Sequence, residues 1–97
     1  MAGYVLSPAA RRDIEQIWDY TEQQWGRAQA EHYVLAIRDA CQGLAENQLP
    51  SRAIDDIRQG YRQVLVGAHL LFFRSSPTGQ VDVVRILHRR MDIARHL

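Results

Sequence analysis

The sequence contains no lysine, and all twelve of its basic residues are arginine. A GC-rich genome would produce this composition without any functional cause. The absence nevertheless excludes reactions that need a lysine nucleophile or a lysine general acid. Cysteine is almost as scarce: Cys41 is alone, which excludes an internal disulfide and agrees with a reducing cytoplasm.

Several other features are missing as well. No apolar stretch approaches the roughly 18 residues of a membrane span, and the N-terminus lacks the pattern of a signal peptide. There is no phosphate-binding glycine loop and no cysteine or histidine group at zinc spacing. Asp55-Asp56 is the only adjacent acidic pair, and its side chains diverge into a polar segment. We therefore expect a cytoplasmic protein without membrane contact, metal or cofactor.

The charge that is present is divided along the chain. Residues 1–56 hold five Arg and nine Asp or Glu, a net of −4, and residues 57–97 hold seven Arg and two Asp, a net of +5. The total is +1 for a chain of 97 residues, which is the size of a single domain, residues 1–97. A nearly neutral protein can thus present a basic C-terminal half to an acidic partner.

Helical spacing dominates the first half of the chain. Tyr4-Val5-Leu6 predicts a short strand, and Ser7-Pro8 is a strong helix start because serine caps and proline fits the first helical position. Apolar residues recurring every three or four positions predict helices over about residues 8–24 and 27–45. We expect the two helices to form an antiparallel hairpin.

The second half changes to the composition of strands. Residues 61–66, 68–75 and 81–88 are rich in β-branched and aromatic side chains, with turn residues between them. These segments predict an antiparallel meander covered on one face by the helical hairpin. The fold class is therefore α+β with two layers, the other face of the sheet being partly open.

Aromatic and basic residues are the remaining candidates for function. Trp18 lies on the apolar stripe of the first helix and is predicted to be core. Trp25 ends the same stripe and is also predicted to be core, with a half-exposed binding anchor as the alternative. Tyr20 lies off the stripe, where exposure would let it meet a partner. Arginines occur on each predicted strand among apolar neighbours, at Arg62, Arg74 and Arg85. Since burying an unpaired arginine is costly, each is either paired, with Asp82 or a helix acid, or part of an anion site.

Strand alternation places Arg85 on the same face as Val83 and Leu87. His88 follows at the end of this strand and is the start of a basic tail. For ribonuclease chemistry, His88 or His96 with Arg85, Arg89 or Arg62 could supply the acid, the base and the cation. No fixed motif supports that reading.

Four segments, taken in order, resemble the ParE toxins of the RelE/ParE superfamily. They are LSPAARRDIEQIWDYTEQQWG, AEHYVLAIRDACQGLAENQ, GYRQVLVGAHLLFFR and VVRILHRRMDIARHL, and the resemblance covers about residues 3–97. It implies a helical hairpin on an antiparallel sheet with a short C-terminal tail or helical turn. It also implies the toxin of a type II toxin–antitoxin pair, neutralised by a ParD-like antitoxin and directed against DNA gyrase.

RelE-like members of the superfamily instead cleave mRNA on the ribosome. The tail after Leu87 has no tyrosine and the chain has no lysine, so two usual providers of that chemistry are missing. We therefore predict a gyrase inhibitor that acts by binding, without chemistry or cofactor of its own. An mRNA interferase remains the alternative, and a non-toxic module that acts only with its antitoxin in operon repression is a third reading.

The resemblance and the divided charge together predict two contact surfaces. Acidic and apolar groups of the antitoxin would meet the first, and gyrase or gyrase-bound DNA would meet the second. We expect no direct sequence-specific DNA binding except through the antitoxin. The predicted antitoxin contacts are Trp25, Tyr33, Arg62, Arg74 and Arg85, and the predicted target contacts are His88, Arg89, Arg90, Met91, Arg95 and His96.

Overall fold

A computed structural model describes residues 3–97. The elements are β1 (Tyr4–Leu6), α1 (Pro8–Trp25), α2 (Arg27–Ala45), β2 (Arg52–Ala53), β3 (Arg62–Val66), β4 (His69–Ser75), β5 (Val81–His88) and a 3₁₀ turn (Ile93–Arg95). The predicted strands and helices are all present with boundaries within about a residue. The two-residue strand β2 was not predicted.

Local sequence sets the ends of the helices. The Ser7 hydroxyl accepts a hydrogen bond from the Ala10 amide at 3.0 Å and donates one to the Val84 carbonyl at 2.7 Å, so the cap also ties α1 to β5. Gly26 separates α1 from α2 with a φ of 92°, a conformation that favours glycine. The predicted helical hairpin therefore forms across a single residue.

The sheet has five strands in the order β1-β5-β4-β3-β2. Strands β3, β4 and β5 form the predicted antiparallel meander, and β2 adds an antiparallel edge to β3. Strand β1 lies parallel to β5, so the sheet is mixed. Within residues 3–97, β1 pairs with Val81–Val83, and further along this edge of β5 the side chains of Ser7 and Asp13 bond the main chain of Val84 and Ile86.

Both faces of the sheet bury apolar side chains. The larger cluster lies under the helices and includes Ile17, Ile37, Cys41, Leu71 and Val83. The sheet's other face carries a second cluster, and the tail residues Ile93 and Leu97 pack against it; its buried members are Ile54, Tyr61, Phe72 and Leu87. The tail therefore covers part of the face that was expected to be open.

An irregularity in β5 corrects one prediction. Phe72 faces Arg85 and Phe73 faces Val83, so Val84 is an extra residue in the strand. Such a bulge reverses the alternation of side chains. Val83 joins the cluster under the helices and Leu87 the cluster under the tail, so the prediction that Arg85 shares a face with both is wrong.

The burial of individual aromatic side chains and of Cys41 can be compared with the predictions. Trp18 is only half-buried, Tyr20 and Trp25 are exposed, and Cys41 is buried in the core. Burial raises the pKa of the Cys41 thiol to about 11. Within residues 3–97, neither helix is long and apolar enough to cross a membrane.

Candidate functional site

A groove runs between the helical hairpin and the adjoining ends of β4 and β5. It consists of two neighbouring cavities of about 290 and 320 Å³ that share the lining residues Tyr20, Thr21, His69 and His88. Its rim carries the exposed aromatic side chains of Tyr20 and Trp25, whose rings meet edge to face at 6.2 Å. We call this feature the histidine groove.

Two histidines face each other at the floor of the groove. His69 begins β4 and His88 ends β5, and the antiparallel register places them directly opposite each other. Their ring centroids are 5.3 Å apart at an interplanar angle of 81°. His69 was not among the predicted site residues, because its pairing with His88 follows from strand register rather than from any spacing in the sequence.

Tyr33 reaches this pair from α2. Its hydroxyl lies 2.6 Å from Nδ1 of His69 and accepts a hydrogen bond from the Ala68 amide at 3.0 Å. Gly67 makes the approach possible, because a Cβ at this position would lie 2.6 Å from the tyrosine ring. Its φ of 59° also belongs to the left-handed region that favours glycine.

The surroundings of His69 favour a neutral imidazole at the floor of the groove. Burial lowers the pKa of His69 below its usual 6.5, and the neighbouring His88 lowers it further, while Asp13 acts in the opposite direction. The Arg90 amide donates a hydrogen bond to Nδ1 of His88 at 3.1 Å, which requires that nitrogen to carry no proton.

Arg85 is paired with an acid from the helix layer. Its Nε and one terminal nitrogen lie 2.8 and 2.9 Å from the two carboxylate oxygens of Asp13. The Ile86 amide donates a third hydrogen bond to Asp13, also at 2.9 Å. These contacts raise the pKa of the Arg85 guanidinium, chiefly through the hydrogen bonds to Asp13. Of the two readings of Arg85, the structure shows the ion pair with a helix acid.

Arg62 and Arg74 lie elsewhere on the sheet. Arg62 donates to the hydroxyl and carbonyl oxygens of Ser51, each at 2.7 Å, and Arg74 lies over the Tyr61 ring with Asp82 at 3.9 Å. Arg62 is four residues along β3 from the level of the histidine pair, a distance of about 13 Å. The structure therefore does not bring Arg62 together with His88 and Arg85.

The tail presents its predicted contact residues to solvent while its apolar residues anchor it. Arg89, Arg90, Met91, Arg95 and His96 are all exposed. Ile93 and Leu97 pack against the second core cluster, and the Arg58 guanidinium donates to the main-chain oxygen of Leu97. The basic side chains of the tail consequently lie on an ordered surface that starts at the histidine groove.

The groove has groups that can recognise a partner, and its imidazoles and the Tyr33 hydroxyl can also transfer protons. The groove offers aromatic, imidazole and amide groups, and its carboxylate, Asp13, is occupied by Arg85. Within residues 3–97, no group of three histidine, cysteine or acidic side chains is placed so that it could hold a metal ion. A mostly apolar groove with a few polar groups can accept an apolar partner segment that also makes polar contacts.

Comparison with solved structures identifies the class to which this architecture belongs. A chain of the chromosomal ParDE toxin–antitoxin system from P. aeruginosa superposes with a TM-score of 0.77 at 21% identity, covering 91% of this chain and 96% of the other. A chain of the RelBE2 toxin–antitoxin complex from Mycobacterium tuberculosis gives a TM-score of 0.68 at 16% identity, covering 91% and 98%. The fold is thus of the RelE/ParE type, as predicted.

Sequence comparison makes the assignment narrower. The family model described as "ParE toxin of type II toxin-antitoxin system, parDE" matches residues 4–93. The chain is 48% identical over 94 residues to Toxin ParE1 of Mycobacterium tuberculosis, covering 97% of this chain and 96% of the relative. It is 34% identical over 97 residues to Toxin ParE1 of Caulobacter vibrioides, covering 100% and 99%. The chain belongs to the ParE family of toxins of type II toxin–antitoxin systems.

Proposed function

We propose that this toxin inhibits DNA gyrase by binding it and that a ParD-like antitoxin neutralises the toxin. The observation that carries the proposal is the ordered tail, which anchors two apolar residues and presents basic side chains outward. A surface of this kind suits docking on a large acidic partner such as gyrase-bound DNA. Arg85 and Arg62, by contrast, are both held by protein groups rather than aimed at the histidine pair.

The histidine groove supports the antitoxin half of the proposal. Trp25 is 65% exposed at its rim and Tyr33 lines its wall, so a partner segment could bury apolar side chains there. The ParDE and RelBE2 structures that share the fold come from toxin–antitoxin systems, which favours an antitoxin partner for this chain. Arg74, exposed on the opposite face of the sheet, would add a contact for an acidic segment that wraps around the molecule.

The test of the target surface should change charge without removing the tail. Deleting residues 89–97 would remove these charges but would also uncover the second core cluster. We instead propose the triple variant Arg89→Gln/Arg90→Gln/Arg95→Gln, with Arg11→Gln/Arg12→Gln on the exposed surface of α1 as the matched control.

In a gyrase supercoiling and cleavage assay, we expect the tail variant to need at least about tenfold more protein for half inhibition, as expected when several exposed charges of a contact surface are lost. The helix control should match the unchanged protein. Equal inhibition by the tail variant and the control would contradict the proposed target surface.

The histidine pair favours a second candidate function, ribosome-dependent mRNA cleavage. Two imidazoles and the Tyr33 hydroxyl lie within one groove, and such groups can act as acid and base. Purified toxin added to translating ribosomes, followed by mapping of transcript ends, tests this candidate. Cleavage that disappears in His88→Ala would replace gyrase inhibition as the proposed activity.

The third reading, a module that is no longer toxic, has its own test. Expression of the toxin alone should arrest growth if the toxin is active, and co-expression of the antitoxin gene beside it should restore growth. Unaffected growth without antitoxin would instead support a role confined to the complex with the antitoxin.

A further inference from the structure

We propose that His88 is a positioning residue for the tail: its neutral imidazole, braced by Tyr33 through His69, fixes the turn by which the tail leaves the sheet. The value of this arrangement for inhibition rests on the proposed function, in which the tail contacts the target. The arrangement itself can be tested without any target.

Contacts run from α2 to the tail without a gap. The Tyr33 hydroxyl lies 2.6 Å from Nδ1 of His69, and the His69 and His88 ring centroids are 5.3 Å apart. Nδ1 of His88 then accepts from the Arg90 amide at 3.1 Å. A helix from one layer is thereby connected to the first residues beyond the sheet.

His88 accepts two hydrogen bonds in the turn at the start of the tail. Its carbonyl accepts from the Met91 amide at 2.9 Å, which closes the turn, and its imidazole accepts from the Arg90 amide within that turn. The second contact has the form that asparagine makes in an Asx turn, where a side chain accepts from the amide two residues further on. His88 therefore sets the direction in which Arg89, Arg90 and Met91 point.

Only one protonation state of His88 can make the second contact. A neutral imidazole has one nitrogen that accepts, whereas an imidazolium donates from both nitrogens. Protonation would place an N–H of the ring against the N–H of Arg90, so the hydrogen bond would be lost. The side-chain contact within the turn is accordingly one that only a neutral His88 can make.

The experiment compares two substitutions that differ in one acceptor. His88→Asn retains an oxygen near the position of Nδ1 and can form an Asx turn, whereas His88→Leu retains bulk without an acceptor. His32→Leu removes an exposed imidazole from α2 and serves as the control. The isolated, ¹⁵N-labelled protein is studied by NMR at pH 7.5.

At pH 7.5 we expect the spectrum to show Nδ1 of His88 without a proton. The Arg90 amide proton should lie downfield, and this shift should be lost in His88→Leu, retained in His88→Asn and retained in the control. Tyr33→Phe should give a smaller change of the same sign, because Tyr33 acts through His69.

A protonated Nδ1 in neutral His88, or an Arg90 signal that His88→Leu leaves in place, would overturn the proposal. The gyrase assay then distinguishes a failure of the positioning role of His88 from a failure of the proposed gyrase inhibition. We expect His88→Leu to raise the half-inhibitory concentration about fivefold, the equivalent of one hydrogen bond, and His88→Asn to restore it. If the NMR differences appear but inhibition does not change, His88 positions the turn as proposed. The tail is then not the surface that contacts the target.

Discussion

Asp13 is the residue whose position most changes the interpretation of the sequence. It lies on the apolar stripe of α1, and its side chain is only 8% exposed. A carboxylate is tolerated there because it accepts three hydrogen bonds, two from Arg85 and one from the Ile86 amide. The pair closes the edge of β5 beyond β1 and joins the helix layer to the sheet.

We predict that Asp13→Asn lowers the free energy of unfolding by about 2–4 kcal/mol, because it leaves the Arg85 charge without its partner in a partly buried place. The lower part of this range allows for the exposure of Arg85, whose side chain is 25% accessible. Urea unfolding followed by circular dichroism measures the change. Asp19→Asn, on the exposed surface of the same helix, should change stability by less than about 0.5 kcal/mol.

At the scale of elements, the tail combines two roles in a few residues. Its apolar side chains, Ile93 and Leu97, hold it on the second core cluster, while its basic side chains are exposed. The amides of His96 and Leu97 both donate to the Ile93 carbonyl, so the 3₁₀ turn centres on one anchor. A segment that reads as a solvated basic end is therefore an ordered part of the fold.

Ile93→Ser should release this segment while leaving the helices and the meander intact. We expect a loss of about 1 kcal/mol in the free energy of unfolding, since the side chain is only partly buried. Hydrogen exchange of the His96 and Leu97 amides should become markedly faster. The exposed neighbour Ala94, changed to serine, is the control. Unchanged exchange in Ile93→Ser would show that the tail is held by other contacts.

At the scale of the whole molecule, the larger core cluster unites the two helices with the sheet, and Cys41 is one of its buried members. The thiol is only 1% exposed, so its ionisation is linked to global unfolding. Burial raises its pKa from 9.0 to about 11 in the folded protein. The folded state therefore holds this proton over a pH range in which the unfolded chain releases it.

Below about pH 9 the Cys41 thiol is protonated in both states, so it should not lower the free energy of unfolding. As the pH rises toward 11, ionisation of the thiol in the unfolded chain should lower that free energy. Two pKa units correspond to a loss of about 2–3 kcal/mol over that range. Urea unfolding at pH 8, 9 and 10 measures the slope. Cys41→Ala should be less stable at pH 8 but should show a shallower alkaline slope, and an identical slope would assign the loss to other groups.

Much of the fold could be predicted because it depends on local patterns. The spacing of Ile14 and Ile17, the Ser7-Pro8 start and the β-branched segments specify the helices and strands through backbone geometry and side-chain periodicity. The family resemblance then supplied the arrangement of the layers, which the shared RelE/ParE-type fold confirms. The antitoxin and target contacts assigned to individual residues remain predictions.

Sequence alone thus determined the order of elements, the two-layer class and the family. Tertiary structure alone decided that Asp13 binds Arg85, that His69 faces His88 and that the tail covers the second core cluster. The physical reason is that each of these contacts joins residues far apart in the chain. Their distance depends on strand register and on one bulge at Val84, and a shift of a single residue would turn each side chain to the opposite face.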